Sequence, residues 1–191
     1  GLSIAGSVKR CLVGAARAPL LALIVPSLIL SGCGLFSDPP PPCPQVSIMD
    51  QAKKVTFYDQ GPGRDLTDVA LDVQIGDIAY ECSYDFDDAG NSVTVGVNVL
   101  FLAQRGPAAE QNQMEVPYFV AVTNPNRQIL AKKLFTLEMV FEDNAVRAQT
   151  VEELAQTIPF PVGVNGAAYK IFIGLQLTTN QLEDLRRERG G

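Results

Sequence analysis

Val93-Thr94-Val95-Gly96-Val97-Asn98-Val99-Leu100-Phe101 carries an apolar side chain at every odd position, with Thr94, Gly96 and Asn98 between them. A period of two sends successive side chains to opposite faces of an extended chain. The stretch therefore predicts a β-strand with one face in a core and the other toward water, the pattern of an antiparallel sheet covered on one side. Its valines are β-branched and stiff at χ1, which suits the pleated surface.

The same period runs outward from this strand. Val69, Leu71, Val73 and Ile75 alternate with Ala70, Asp72 and Gln74, and Ile78, Tyr80, Cys82, Tyr84 and Phe86 alternate with Ala79, Glu81, Ser83 and Asp85. These read as two more strands, the second with Cys82 on its apolar face. Asp85-Phe86-Asp87-Asp88-Ala89-Gly90-Asn91 joins it to the strand from Val93. Asp85, Asp87 and Gly90 match positions 1, 3 and 6 of a calcium loop, but Ala89 and Gly96 stand where two further ligands belong. Asp, Gly and Asn also suit a hairpin turn, and the hairpin is the reading adopted; no metal is expected.

Upstream, Val46–Phe57 has room for a short edge strand. Asp59-Gln60-Gly61-Pro62-Gly63-Arg64-Asp65 is turn chemistry, and its Arg64/Asp65 pair is either a small partner surface or an ordinary loop ion pair. Downstream, Arg105–Asn112 is a loop. Val116–Thr123 is a strand whose Pro117 suits a strand start or a sheet edge. After the Asn124-Pro125-Asn126 turn, Gln128–Glu142 sets Phe135, Leu137, Met139 and Phe141 on one face, with a bend or bulge expected at Lys132 and Lys133. Thr150–Phe160 fits both periods. Thr150 and Glu153 form a capping box for a short helix, whereas Leu154, Gln156, Ile158 and Phe160 alternate. The strand is preferred because a sandwich needs a partner for the apolar segment at Tyr169–Leu177. Pro161–Gly166 is a turn, and Tyr169–Leu177, apolar on both faces, reads as a central strand. Thr178-Thr179-Asn180-Gln181 caps a terminal helix, with Glu183 and Asp184 placed in its first turn and Arg186, Arg187 and Arg189 in its last.

Six or seven strands joined by polar turns, with little helix, predict an all-β fold: an antiparallel two-sheet β-sandwich over residues 46–191. Immunoglobulin-like or fibronectin-III-like topology is expected, with a small β-barrel as the alternative. The chain has no Trp, so the antibody-type core signature is absent.

The N-terminus has a different composition. Residues 1–32 hold Lys9, Arg10 and Arg17 but no acid, and Pro19–Leu30 is apolar. A basic segment, an apolar run of about 12 residues and small residues beyond it form a secretory signal. The run is short of the roughly 20 residues a spanning helix needs, and Pro26 interrupts it. Leu30-Ser31-Gly32-Cys33 resembles the lipobox of bacterial prolipoproteins at all four positions. The resemblance implies cleavage before Cys33, diacylglycerol on its thiol, and a further acyl chain such as palmitate on the new amine. Two or three chains anchor a protein stably, where one gives only marginal binding. Gly34, in place of an Asp, implies the outer membrane rather than the inner. Residues 33–45 then serve as a tether, since Pro39-Pro40-Pro41-Pro42-Cys43-Pro44 favours extended polyproline II.

Given that signal, the exported part is Cys33–Gly191, 159 residues. Removing three of the 15 bases leaves 12 against 21 acids, a net charge of −9. Such a domain is poorly suited to nucleic acid. With Cys33 lipidated and Cys11 in the signal, Cys43 and Cys82 remain and read as a disulfide in an oxidising compartment, or else as two buried free thiols. The chain has no His, which removes Ser-His-Asp and Cys-His catalysis and His-ligated metal sites. No Gly-x-Ser-x-Gly elbow, phosphate-binding loop or dinucleotide fingerprint occurs.

Through Gly63-Arg64-Asp65-Leu66-Thr67-Asp68 and Gly174-Leu175-Gln176-Leu177-Thr178, the exported part is similar to uncharacterised envelope lipoproteins of alphaproteobacteria, a family that brings no established activity. The expectation is a non-catalytic binding or accessory module without a cofactor. It would be lipid-anchored at the periplasmic face of the membrane, docking an envelope protein by edge-strand addition, with the strand of Pro117 as the candidate edge. The alternative is a small-ligand carrier or an enzyme resting on carboxylates.

Overall fold

The computed structural model describes residues 41–59, 65–87 and 90–190. Among these, the strands are β1 (Gln45–Ile48), β2 (Lys54–Tyr58), β3 (Val69–Asp87), β4 (Gly90–Arg105), β5 (Gln113–Thr123), β6 (Ile129–Val140), β7 (Arg147–Phe160) and β8 (Lys170–Leu175), followed by helix α1 (Thr179–Gly190). They make two four-stranded sheets, β1-β8-β5-β6 and β2-β3-β4-β7.

Strand β4 behaves as its alternation predicts. Val93, Val95, Val97, Val99, Phe101 and Ala103 are all buried, and Val93, Val95, Val99 and Phe101 expose nothing. They meet Val116, Tyr118, Val120, Val122, Leu137, Met139, Ile171, Ile173 and Leu175 of the other sheet in one core. Each fully buried aliphatic side chain contributes about 1.5–3 kcal/mol relative to exposure, so this shared layer holds the two sheets together.

The two strands expected at Val69–Ile75 and Ile78–Phe86 are one continuous strand, β3. Its register against β4 shifts between Ile75 and Asp77, so Gly76 is the extra residue of a β-bulge. One inserted residue reverses which parity faces the core. Val69, Leu71, Val73 and Ile75 point inward before it, whereas Ile78, Cys82 and Tyr84 pack on the core after it. The change from odd to even in the apolar pattern was the bulge itself, not a turn.

Four further expectations are corrected. Pro117 does not mark an edge: β5 lies between β8 and β6. The Pro117 carbonyl accepts from Gln176 N–H at 2.8 Å, so its nitrogen faces the β8 side just where that pairing ends, at Tyr118 and Leu175, and a missing donor costs the ladder nothing there. The sheets are not wholly antiparallel, because β1 pairs parallel with β8. The two strands are far apart in the chain, so no hairpin forces them to run oppositely. The irregularity expected at Lys132 and Lys133 sits at Leu130, between Val122 and Thr123 of the facing strand. Val46–Phe57 holds two strands rather than one, assigned to different sheets and separated by a single 3-10 turn at Asp50–Ala52.

Thr150–Phe160 is extended, paired along β4 from Phe101 to Asn91. Burial against a sheet outweighs the weak local capping signal. Tyr169–Leu177 supplies β8, an interior strand as its two-sided apolarity predicts. Helix α1 opens with Thr178 Oγ1 accepting from Gln181 N–H and Gln181 Oε1 accepting from Thr178 N–H. That reciprocal cap starts the helix at Thr179, which moves Glu183 and Asp184 from the first turn to the second.

Candidate functional site

Leu30, Ser31, Gly32 and Cys33 lie outside the described residues, and so does Arg64. Asp65 is exposed, and its carboxylate is engaged locally. It accepts from Leu66 N–H while Asp68 accepts from Asp65 N–H, capping a single 3-10 turn at Leu66–Asp68. At the β3–β4 hairpin, Asp87 accepts from Gly90 N–H at 2.9 Å, and Gly90 has φ 148°. Glycine takes that backbone conformation without the penalty a Cβ brings. Among the described residues, no group of three acids or cysteines is placed to hold a metal ion.

Cys43 and Cys82 form the disulfide, with Cα atoms 5.6 Å apart. Beside it, the Tyr84 hydroxyl donates to the Pro42 carbonyl at 2.7 Å. The proline-rich segment is thus fastened to the bulge-shifted half of β3. Tyr84 also stacks on Phe86, and both meet Phe160 edge-on.

The sheet edges divide into two kinds. One side carries β1 and β2, only four and five residues long. There Gln181 of α1 donates to the Thr56 carbonyl of β2 at 3.2 Å. Short and covered edges limit strand addition. The other side carries β6 and β7, 12 and 14 residues long, and no described strand pairs beyond them.

Backbone alternation shows which groups these strands offer. Phe141 N–H donates to the Asn112 carbonyl at 2.7 Å, which turns the odd-numbered groups of β6 toward β5. The N–H and C=O of Lys132, Leu134, Thr136, Glu138 and Val140 therefore face the open side. Likewise Arg105 N–H donates to the Val146 carbonyl at 2.9 Å, so the even groups of β7 turn to β4. Arg147, Gln149, Val151, Glu153, Ala155 and Thr157 face outward. Pro159 shares their parity, which is why a proline is accommodated inside β7.

Between these edges the core ends in a polar contact. Tyr118 is buried, stacks on Phe135 and donates its hydroxyl to Glu152 at 3.3 Å. Burial, followed by the charge of Glu152 and then this hydrogen bond, pushes the Tyr118 phenol well above its ordinary value of 10.0. A raised phenol pKa favours the neutral folded form. Its contribution is whole below about pH 10, the unfolded value, and is lost as pH climbs past it. Thermal melts are therefore expected to fall progressively above pH 10, and Tyr118→Phe to flatten part of that fall.

The surface of the described residues also carries concavities. On the outer face of the second sheet, one of about 600 Å³ is lined by two registered rows. Lys54, Gln74, Leu102 and Gln149 form the first, and Asp72, Gln104 and Arg147 the second. The side-chain amides of Gln74, Gln104 and Gln149 bond to no other described residue, so each has a donor and an acceptor to offer a polar solute. The second, of about 610 Å³, gathers Asp59, Glu110, Glu115 and Glu138. Glu115 and Glu138 sit directly opposite across β5 and β6, both open to water.

No protein-family model, no curated protein and no solved structure matches the chain. Its function is therefore read from its own residues. Neither the open edges nor the glutamine rows were evident from the sequence, because strand order decides both. The two lysines inside the apolar run of β6 and Pro159 in β7 were their only local signals.

Proposed function

We propose that the chain is an envelope lipoprotein anchored through an acylated Cys33, whose β-rich part is a non-catalytic binding or accessory module. The observation that carries the reading is the Cys43–Cys82 disulfide. Disulfides persist in oxidising compartments, and this one fastens the end of the proline-rich tether to the folded part. The Tyr84–Pro42 hydrogen bond supports the same attachment. Two four-stranded sheets sharing one filled core support a β-sandwich; within that class we favour an immunoglobulin-like arrangement, in which a short first strand running parallel to the last finds a natural place. The long β6 and β7 edges, beyond which no described strand pairs, are the surface this reading offers to a partner.

Cell fractionation tests the anchor. The unsubstituted chain is expected in membranes, resistant to carbonate washing and labelled by fed palmitate. Cys33→Ala is expected to lose the label and move to the soluble fraction; a variant still held tightly in washed membranes would overturn the reading.

A second reading, a small-ligand carrier, draws on the glutamine-lined concavity. Native mass spectrometry of the purified chain would show a retained polar molecule in that case.

A further inference from the structure

We propose that the glutamine-lined concavity on the outer face of the second sheet is a binding site for an acidic glycan, a short chain of hydroxylated sugar rings that carry carboxylates. The proposal rests on the reading of the chain as a small-ligand carrier and names the ligand's chemistry.

The polar groups come first. Gln74, Gln104 and Gln149 are exposed, and each amide offers two N–H donors and a carbonyl acceptor. A sugar hydroxyl is both donor and acceptor, so one amide can bond two neighbouring hydroxyls. Asp72 lies between Thr56 and Gln104 in its registered row. Its Oδ1 accepts from the Thr56 hydroxyl at 2.5 Å, which fixes the carboxylate and leaves Oδ2 to accept from a ligand. Strands β3 and β4 are interior to the sheet, so their backbone groups are already paired. The face recognises through side chains, and an extended peptide finds no strand edge there.

Charge comes second. Lys54 and Arg147 line the site together with Asp72, two cations against one carboxylate in a chain of net charge −6. Neither cation has an ion-pair partner among the described residues. Arg147 suits a carboxylate, which a guanidinium can hold with two parallel hydrogen bonds. Lys54 is on β2 and Arg147 on β7, three strand spacings apart, about 14 Å at backbone level. A short oligomer laid across the strands matches that span. The volume of about 600 Å³ lies within the range of about 300–1,000 Å³ found for small-molecule sites.

The floor comes third. Gln74 stands two residues before the bulge at Asp77, next to Gly76, and a bulged strand bends and twists more strongly. Leu102 is half-buried between Gln74 and Gln149 in its row. It lies over Gly76, where a Cβ would stand 3.0 Å from Leu102 Cδ1 and 3.4 Å from Leu100 Cδ2. With glycine there, Leu102 settles low and gives the site an apolar floor. The C–H face of a sugar ring packs on such a floor while its hydroxyls reach the amides. Among the described residues no aromatic side chain lines the site, so a nucleobase would have nothing to stack on.

The test is an array of immobilised oligosaccharides probed with the full chain in mild detergent over a concentration series. It carries uronic-acid trimers, lactyl-ether amino-sugar trimers and the neutral counterpart of each. Binding to an acidic trimer at least about tenfold tighter than to its neutral counterpart is expected, weakening as salt is raised. Which acidic class binds identifies the source of the carboxylate. Arg147→Ala is expected to weaken binding about tenfold or more, and Arg147→Lys to keep part of it. Gln104→Ala is expected to weaken it several-fold, whereas Thr157→Ala, at the far end of the same face, should leave it unchanged. Circular dichroism of each variant checks that it has folded. No acidic trimer bound, neutral trimers bound equally well, or binding indifferent to both Arg147→Ala and Gln104→Ala would each overturn the proposal. The carrier reading is judged separately: a retained polar molecule of another class in native mass spectra would preserve it while the acidic glycan falls, and a chain that is empty and binds nothing on the array would remove both.

Discussion

Phe101→Ala is expected to lower the unfolding free energy by about 3–5 kcal/mol. Phe101 exposes nothing, lies on the core face of β4 and packs its ring 5.1 Å from that of Tyr118. Removing it deletes the buried ring and leaves a cavity between the sheets. The neighbours that would have to collapse into it, Val99 and Ala103 on the same strand and Ile75 directly opposite, are held in place by the β3–β4 ladder. The aromatic contact with Tyr118 is lost as well, and with it part of the packing that holds the Tyr118 hydroxyl at Glu152. For a domain of this size the loss corresponds to roughly 10 °C in Tm. Urea titration and thermal melts measure it. Val162→Ala, at a side chain 83% exposed, is the control and is expected to change stability by less than about 0.5 kcal/mol. Equal effects from the two would mean that the shared core does not hold the sheets together.

Cys82→Ala is expected to cost about 4 kcal/mol on the chain-entropy account, for a cross-link spanning 39 residues. The physical effect lies mainly in the unfolded chain, which regains the freedom of the closed loop. In the folded state the loss falls where the proline-rich segment meets β3. The Tyr84–Pro42 hydrogen bond is exposed and holds that segment weakly by itself. Proteolysis around Pro41–Pro44 should accelerate in the variant, and the unsubstituted chain in reductant should melt with it. Melts of both proteins with and without reductant decide the matter. A variant as stable as the oxidised parent would show that the cross-link constrains nothing.

These two effects fall at positions of different legibility. Phe101 announces itself, because five apolar residues at period two leave little choice but a strand with one buried face. The disulfide was readable only through the compartment that the lipobox implies, since spacing alone pairs no two cysteines. The terminal cap was legible for a local reason: Thr178 and Gln181 satisfy each other's backbone groups within one turn.

What the sequence by itself determined was the local part of this protein: extended strands with alternating faces, the hairpin at Asp87 and Gly90, the parity change that marks the bulge at Gly76, and the capped final helix. Each depends on residues within a few positions of one another, where backbone geometry and side-chain chemistry act directly. The tertiary structure alone decided strand order. Pairing β1 with β8, or placing Pro117 inside a sheet, depends on contacts between segments far apart in the chain. Such contacts are set by which apolar faces can be buried together, and an alternating pattern does not say which strand will lie next to it. The open edges of β6 and β7 result from that order, so the surface on which this protein is expected to meet a partner became visible only once the sheets were assembled.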